Sequence, residues 1–337
     1  MRDALATVVS GHDLDAATAR AAMDEMMEGS ATHAQIGALL AALRTKGETV
    51  DEICGMVESM RAHGTTVRLG VDAVDTCGTG GDGSGTFNIS TAAALVAAGA
   101  SAPVAKHGNR AASSRCGSAD VLEALGVAVA LPPAGVKACI EEAGMGFFFA
   151  PAYHPAMRHV APVRREMGVR TVFNVLGPLA NPAGVRHQAM GVADIHMAPR
   201  MAAVLQRLGH EHALVFTGPG GLDEIGLDGP SACWEVTPSG IREFTLDPRD
   251  LGVASASARD LSGGDAARNA AFVRGVLGGE HGPARDIAVL NAAAALFVLG
   301  TAADMASGMA RAIESIDSGA AQRCLDSLVA VSNRTWS

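Results

Sequence analysis

The sequence predicts an α/β protein in which a small N-terminal helical domain precedes a large α/β domain with a central, mainly parallel sheet. Three observations predict it. The N-terminal segment, up to about Val67, is periodic in the helical sense. From about Val71, short β-leaning runs alternate with helical ones, as in chains that build parallel sheets. The 337-residue chain is 48% hydrophobic but only 4% aromatic, with 40 glycines, so much of its apolar content is Ala, Val and Leu. That composition suits helices packed closely on a sheet, and the length is ample for a large core.

The N-terminal helices announce themselves by their caps. Thr32 and Gln35 form a capping-box pattern, and Ile36, Leu39, Leu40 and Leu43 follow at helical spacing before Gly47 stops the run. Thr49 and Glu52 repeat the pattern ahead of Ile53, Met56, Val57 and Met60. Two adjacent amphipathic helices need a cover for their apolar faces, either a helical subdomain or a dimer contact. Residues 1–67 are therefore assigned to a helical domain and residues 68–337 to the α/β domain.

Within the second domain the β-leaning runs are 71–76, 102–105, 127–130, 187–193 and 213–217. Helices are expected from Ser90, from Ser118 and from the pair Pro132–Pro133, since proline suits a first helical turn. Residues 254–266 are small and polar and read as a surface loop. The longest apolar stretch, 287–303, is interrupted by Asn291 and Gly300 and reads as a buried helix rather than a membrane span.

Composition narrows the function. A formal net charge of −9 argues against a nucleic-acid binder, which would carry a basic stripe. It leaves room for an anionic ligand, because a local site can be positive on an acidic protein. The six cysteines, at 54, 77, 116, 139, 233 and 324, form no C-x-x-C pair and read as reduced thiols of a cytosolic protein. The first residues show no apolar run followed by a cleavage site, so no signal peptide is expected. A cytoplasmic protein without membrane partners is the expectation.

The most informative segment is Asp75-Thr-Cys-Gly-Thr-Gly-Gly-Asp-Gly-Ser-Gly-Thr-Phe-Asn-Ile-Ser-Thr91. A strand enters it and a helix leaves it. Gly78, Gly80, Gly81, Gly83 and Gly85 allow positive φ and a close backbone approach to a ligand. Thr79, Ser84, Thr86, Asn88, Ser90 and Thr91 add hydroxyl and amide groups, and the helix N-terminus favours an anion. The segment predicts a cradle for phosphate or pyrophosphate. A flexible surface turn is the competing reading of any glycine-rich run. Against it stand the strand-to-helix position, the density of hydroxyls and two carboxylates, Asp75 and Asp82. No Gly-Lys-Ser/Thr follows, so this is not a Walker A loop. It also lacks the third glycine and the later acidic residue of a dinucleotide fingerprint, which removes an NAD-binding oxidoreductase. Further on, Asp223 and Glu224 are adjacent carboxylates that could converge in a loop on magnesium, which prefers oxygen ligands. An exposed acidic turn is the plainer account of such a pair.

Several longer runs carry a resemblance. Gly78-Thr-Gly-Gly-Asp82, Gly85-Thr-Phe-Asn-Ile-Ser-Thr91 and Lys106-His-Gly-Asn-Arg110 come first. Ser118-Ala-Asp-Val-Leu-Glu-Ala-Leu-Gly126, His154-Pro-Ala-Met-Arg158, Arg164-Arg165, Asn174-Val-Leu-Gly-Pro-Leu-Ala-Asn-Pro182 and Gly221-Leu-Asp-Glu224 follow in order. With Ala34-Gln-Ile-Gly-Ala38 and Arg44-Thr-Lys-Gly-Glu48, they resemble the anthranilate phosphoribosyltransferase family over nearly the whole chain.

The resemblance implies the class II phosphoribosyltransferase and nucleoside-phosphorylase type of fold, with helices around 154–185 joining the N-terminal ones. It implies transfer of a phosphoribosyl group from phosphoribosyl pyrophosphate to anthranilate. By the same resemblance, Gly78, Gly81, Asp82, Thr86, Asn88, Ser90 and Thr91 line the pyrophosphate and ribose region, and Lys106 adds a charge for the phosphates. Ser90, Asp223 and Glu224 would hold Mg2+, two ions per subunit. Arg164 would grip the anthranilate carboxylate, with Asn109 bonding to the acceptor. His107, Gly108, Ser118, Tyr153 and His154 would be neighbours, and Gly177 and Pro178 would shape a slot for the ring. Lys106, Asn109 and Arg164 would be the catalytic set. Arg165 rivals Arg164, since only one of the two can reach in from a helix, and the resemblance selects Arg164. It also suggests a homodimer through the N-terminal helices.

One departure from the family pattern is visible. Thr217 stands where the family usually has histidine, and Gly220 where it has aspartate, ahead of the intact Asp223–Glu224 pair. Two rivals remain. A pyrimidine nucleoside phosphorylase would carry Lys-His-Ser-Thr-Gly-Gly where this chain has Lys106-His-Gly-Asn. A nucleic-acid-binding relative would want basic stripes.

Overall fold

The computed structural model describes residues 1–111 and 115–336. Seven strands form one sheet: β1 (Val74–Asp75), β2 (Val104–Gly108), β3 (Met145–Phe149), β4 (His187–Gly191), β5 (His212–Thr217), β6 (Ser231–Thr237) and β7 (Gly240–Leu246). Their order is β3-β2-β1-β4-β5-β6-β7. The first five in that order pair in parallel, whereas β6 pairs antiparallel with both β5 and β7. The mainly parallel sheet follows from sequence physics. β2 and β5 are buried along nearly their whole length, as strands covered on both faces must be. β7 closes the edge with an exposed, charged stretch that includes Arg242 and Glu243.

Helices cover both faces. The helix Pro283–Val298 carries the long apolar run and is buried along twelve of its residues, packed against the helix Ile89–Gly99. No helix among the described residues is long and apolar enough to cross a membrane. A second apolar cluster holds the N-terminal helices Arg2–Val9, Ala16–Glu28, His33–Lys46 and Val50–Ala62. It is not closed on itself. Val160, Val163, Phe173 and Leu176, then Met201 and Leu205, then the sheet residues Met190 and Val215 belong to the same cluster. The helices Ala161–Met167 and Phe173–Leu179 thus pack with the N-terminal layer, and that layer is continuous with one face of the sheet.

Local signals are reproduced closely at the helix caps. Both capping boxes form, at Thr32 with Gln35 and at Thr49 with Glu52, and Gly47 ends the helix His33–Lys46. The strands show where pattern alone falls short. Residues 127–130 form no strand. Val127 N–H bonds back to the Leu122 carbonyl and Ala128 N–H to Ser332 Oγ, so this apolar stretch is a connection held between helices. β3, with the sequence Met-Gly-Phe-Phe-Phe, goes unread although helices flank it, and the β6–β7 hairpin goes unread because it departs from the strand-then-helix rhythm of the rest. Residues 254–266 are more than a surface loop. Leu261 is buried, its carbonyl accepts from Phe87 N–H, and Thr86 bridges to Ser262, so the segment backs the glycine-rich loop. The six cysteines stand as thiols outside any disulfide, and all but the half-buried Cys77 are buried.

The Thr49 hydroxyl accepts from Glu52 N–H at the start of the helix Val50–Ala62, which packs on the helices Ala16–Glu28 and Ala198–Arg207. Thr49→Ala should lower unfolding free energy by about 1 kcal/mol. Urea titration checks this as a lower midpoint at unchanged slope.

Candidate active site

β1 lies between β2 and β4, and the chain leaves it to opposite sides of the sheet. Open parallel sheets bind ligands outside the carboxyl ends of the strands at such a reversal. The glycine-rich loop leaves β1 there. Gly80, Gly81, Gly83 and Gly85 have φ between 66° and 71°, a region unfavourable to other residues. Gly78 differs from expectation, because its φ is not positive. A Cβ there would stand 2.8 Å from Asp223 Oδ2 and 3.1 Å from the Gly191 carbonyl, so Gly78 serves close approach rather than a left-handed turn. Thr79 N–H donates to the Gly191 carbonyl at 2.9 Å, Gly80 N–H to Asp223 Oδ2 at 2.7 Å and Ser84 N–H to Asp82 Oδ1 at 3.0 Å.

The metal-candidate pair is held against this loop. Glu224 Oε1 accepts from Ser90 N–H at 3.0 Å, in the first turn of the helix Ile89–Gly99, where a negative charge is favoured. Desolvation pushes both carboxyls above their usual range, and repulsion from Asp223 raises Glu224 further. Asp82 adds to the effect on Asp223, while Lys106 and Ser90 N–H oppose it at Glu224. A divalent cation would relieve that repulsion. Among the described residues no three His, Cys, Asp or Glu side chains are placed to hold a metal. Two carboxylates with the Ser90 hydroxyl nearby leave positions for water and substrate oxygens, which is how Mg2+ is commonly bound. The residues fit that ion.

Lys106 is 2% exposed. Its Nζ donates to the Thr76 carbonyl at 3.2 Å, to Thr76 Oγ1 at 3.1 Å and to Ser90 Oγ at 3.2 Å. It bridges the exit of β1 to the helix N-terminus. Asp75, fully buried below it, is pushed up to about 6 by desolvation, opposed by Lys106 and by the N–H groups of Asn181 and His107. Asn88 is oriented by Asn269, which donates to its Oδ1 at 2.8 Å, while its own amide donates to the Cys116 carbonyl. Thr86 Oγ1 lies 3.3 Å from Ser84 Oγ. Thr91 is buried with its hydroxyl unpaired.

The acceptor candidates lie on the other side of β2, as alternation along a strand requires. His107 Nδ1 is 3.0 Å from the Gly177 carbonyl, its Nε2 is buried without a partner, and the His154 ring packs edge-on at 5.2 Å. Burial pushes both imidazoles down, His107 to about 3, so His107 is neutral, with the Nδ1 proton donated to Gly177. Arg164 is half-buried, with its guanidinium 5.2 Å from the Phe173 ring centroid and no carboxylate partner among the described residues. Arg165 is exposed. Gly108 is required by packing, since a Cβ would collide with Ser118 Oγ and come within 2.8 Å of Phe147. Ser118 Oγ donates to the carbonyl of Asn109, whose side chain is exposed and accepts from Arg110 N–H. Pro178 is buried beside Gly177. Tyr153 does not join this group. Its hydroxyl donates to the Leu131 carbonyl and its ring packs on Phe148, inside the core.

Known proteins with this arrangement agree. Residues 2–64 match the glycosyl transferase family, helical bundle domain, and residues 70–322 match the glycosyl transferase family, a/b domain. An anthranilate phosphoribosyltransferase of Roseiflexus is 55% identical over 98% of both chains. The chain belongs to the anthranilate phosphoribosyltransferase family. Among solved structures, the enzyme of Thermus thermophilus is 44% identical with a TM-score of 0.93, covering 98% of this chain and 100% of that one. The enzyme of Saccharomyces cerevisiae, in complex with PRPP and Mg, is 26% identical with a TM-score of 0.90 over 98% of this chain and 97% of its own.

Several members of the site escape sequence reading. Gly191 is one, since a Cβ there would fall on the Asp223 carbonyl, and Gly218 likewise makes room for the Glu224 carbonyl. Their signal is only a glycine at a strand end. Arg170 donates to the Gly81 and Gly80 carbonyls at 2.6 and 3.1 Å. Asn291, the polar break in the apolar run, bonds to both N–H and carbonyl of Ile225 and so pins the chain beyond Glu224. Thr217, the family departure, is buried and donates to the Val192 carbonyl at 2.7 Å, tying β5 to the end of β4.

The pair Asp223–Glu224 holds its protons above the usual carboxylate range in the metal-free protein. Folded-state values raised above the unfolded ones give a stabilising contribution present at low pH and lost as pH rises through the folded values. Mg2+ should therefore raise Tm little at about pH 5 and much more at about pH 8. Thermal denaturation with and without Mg2+ across this range measures it. A Tm gain independent of pH contradicts the assignment.

Proposed function

We propose that this chain transfers the 5-phosphoribosyl group of phosphoribosyl pyrophosphate to the amine of anthranilate, releasing pyrophosphate. The family supports the reaction. The geometric observation that carries the division of labour is the end of β2, where Lys106 faces the glycine-rich loop and His107 faces Gly177. One strand end thus separates a donor side from an acceptor side.

On the donor side, Gly78, Gly81, Asp82, Thr86, Asn88, Ser90 and Thr91 line the pyrophosphate and ribose, and Lys106 adds a fixed positive charge. Ser90, Asp223 and Glu224 would hold Mg2+, two ions per subunit, which supplies charge neutralisation on the departing pyrophosphate. The C1–O bond breaks with its electron pair leaving on pyrophosphate, and the oxocarbenium character of C1 is met by the anthranilate nitrogen from the opposite face. The nitrogen then loses a proton. Arg164 grips the acceptor carboxylate through its planar fork, and Asn109 bonds to the acceptor. His107, Gly108, Ser118 and His154 complete the wall, and Gly177 and Pro178 hold the ring flat, so that positioning lowers the barrier. A structure of the Saccharomyces cerevisiae enzyme in complex with 4-fluoroanthranilate supports the acceptor class. A cytoplasmic homodimer through the N-terminal helices completes the proposal.

The direct test follows anthranilate fluorescence with phosphoribosyl pyrophosphate and Mg2+. Loss of emission that needs both confirms the reaction. Phosphate-dependent cleavage of a pyrimidine nucleoside instead would overturn it. Arg164→Ala should raise the anthranilate KM by about a hundredfold, the cost of a lost charged bond, with the donor KM little changed. Equal loss for both substrates contradicts the clamp.

A further inference from the structure

The segment that carries Gly177 and Pro178 ends the helix Phe173–Leu179, where the Gly177 carbonyl accepts from the capping Ala180 N–H at 3.2 Å and the carbonyls beyond it lie past the reach of the helix's own N–H groups. Side chains from three other places bond to the carbonyls of Gly177, Pro178 and Leu179. His107 of β2 bonds to the Gly177 carbonyl at 3.0 Å, Gln188 of β4 donates to the Pro178 carbonyl at 2.8 Å, and Arg61 of the helix Val50–Ala62 donates to the Leu179 carbonyl at 2.9 Å. Two residues on, Asn181 turns its amide back into the sheet. Its Nδ2 donates to Asp75 Oδ2 at 2.8 Å and to the Ala105 carbonyl at 2.7 Å, while its Oδ1 accepts from Ala183 N–H. Asp75 accepts from His107 N–H through its other oxygen at 3.2 Å. Asp75, Asn181 and Gln188 are 0%, 4% and 1% exposed, and Asp75 pairs with Gln188 in the register of β1 and β4.

These bonds close a ring that runs Asp75, His107 main chain, His107 imidazole, Gly177, then through the chain to Asn181 and back to Asp75. We infer that Asn181 and Gln188, with Asp75, are positioning residues that set the Gly177–Pro178 wall at a fixed distance from Lys106 and His107, and so determine how well the aromatic acceptor fits. The inference rests on the proposed reaction. Both oxygens of Asp75 meet N–H donors, so the hub needs an acceptor-only carboxylate at that position. Asn181 and Gln188 make no hydrogen bond to residues 76–91, which carry the donor loop, so their removal acts on the acceptor side, whereas Asp75 also faces Lys106 and is left intact in the test.

The test is a pair of variants assayed by full two-substrate kinetics beside the parent enzyme. Asn181→Ala removes the tie to Asp75 and Ala105. Gln188→Met keeps volume and removes only the bond to Pro178. The expected result is an anthranilate KM raised about tenfold in Asn181→Ala and about threefold in Gln188→Met, from lost buried bonds. The donor KM stays within about twofold, since distant interactions are additive. A merely structural role would lower Tm and the active fraction while leaving the ratio of the two KM values unchanged. That outcome in either folded variant overturns the inference, and Gln188→Met decides it alone if Asn181→Ala does not fold. Failure of the parent enzyme to consume anthranilate would instead refute the reaction itself.

Discussion

Everything in the site depends on one close contact, the passage of the Leu222–Glu224 backbone against the end of β4. Gly191 and Gly218 make that passage possible, because any side chain at either position would occupy the space of the passing backbone. Once there, Asp223 takes the N–H of Gly80 and Glu224 takes the N–H of Ser90, so a single pair of carboxylates shapes both the glycine-rich loop and the first turn of the next helix. Lys106 completes the arrangement from β2 by bonding to Thr76 and Ser90. The outcome is a preformed cradle whose acidic groups crowd one another. Such crowding is costly without a cation, and a cation together with a polyanion resolves it.

The proposed acceptor side obeys a different constraint. Arg164, Gly177 and Pro178 come from segments that pack with the N-terminal helices, whereas Lys106, Ser90 and Asp223 belong to the sheet and its loops. Catalysis by positioning needs these two bodies in register to within a fraction of an ångström. The bonds that join Asp75, His107 and Gln188 to the segment 177–181 cross that boundary, while Arg61 ties the same segment to the N-terminal layer. Arg170 crosses it in the other direction, reaching from the connection between the helices Ala161–Met167 and Phe173–Leu179 to the Gly80 and Gly81 carbonyls.

The sequence made much of this legible. Caps at Thr32 and Thr49 are local chemistry and appear where the pattern puts them. The alternation of strand and helix identifies β1, β2, β4 and β5 but not β3 of the parallel part of the sheet, and glycine density with a strand on one side locates the cradle. What pattern could not supply is contact between distant segments. Gly78 was expected to turn left-handed and instead makes room for Asp223, a partner 145 positions away. Tyr153 looked like a member of the acceptor wall, but the direction of its side chain is set by Leu131 and Phe148. The hairpin of β6 and β7 breaks the βα rhythm, and residues 127–130 have strand-like composition without a strand partner. In each case tertiary packing overrode a local preference.

On the proposed reaction the carboxylate pair, not the lysine alone, admits the donor. Calorimetric titration of the protein with phosphoribosyl pyrophosphate, with and without Mg2+ and in the absence of anthranilate, measures this most directly. Tight donor binding only in the presence of Mg2+, with little or no heat in its absence, is the predicted result. Equal donor affinity in metal-free solution would contradict it, and would mean that Lys106 and the backbone N–H groups of the loop hold the polyanion without help from Asp223 and Glu224.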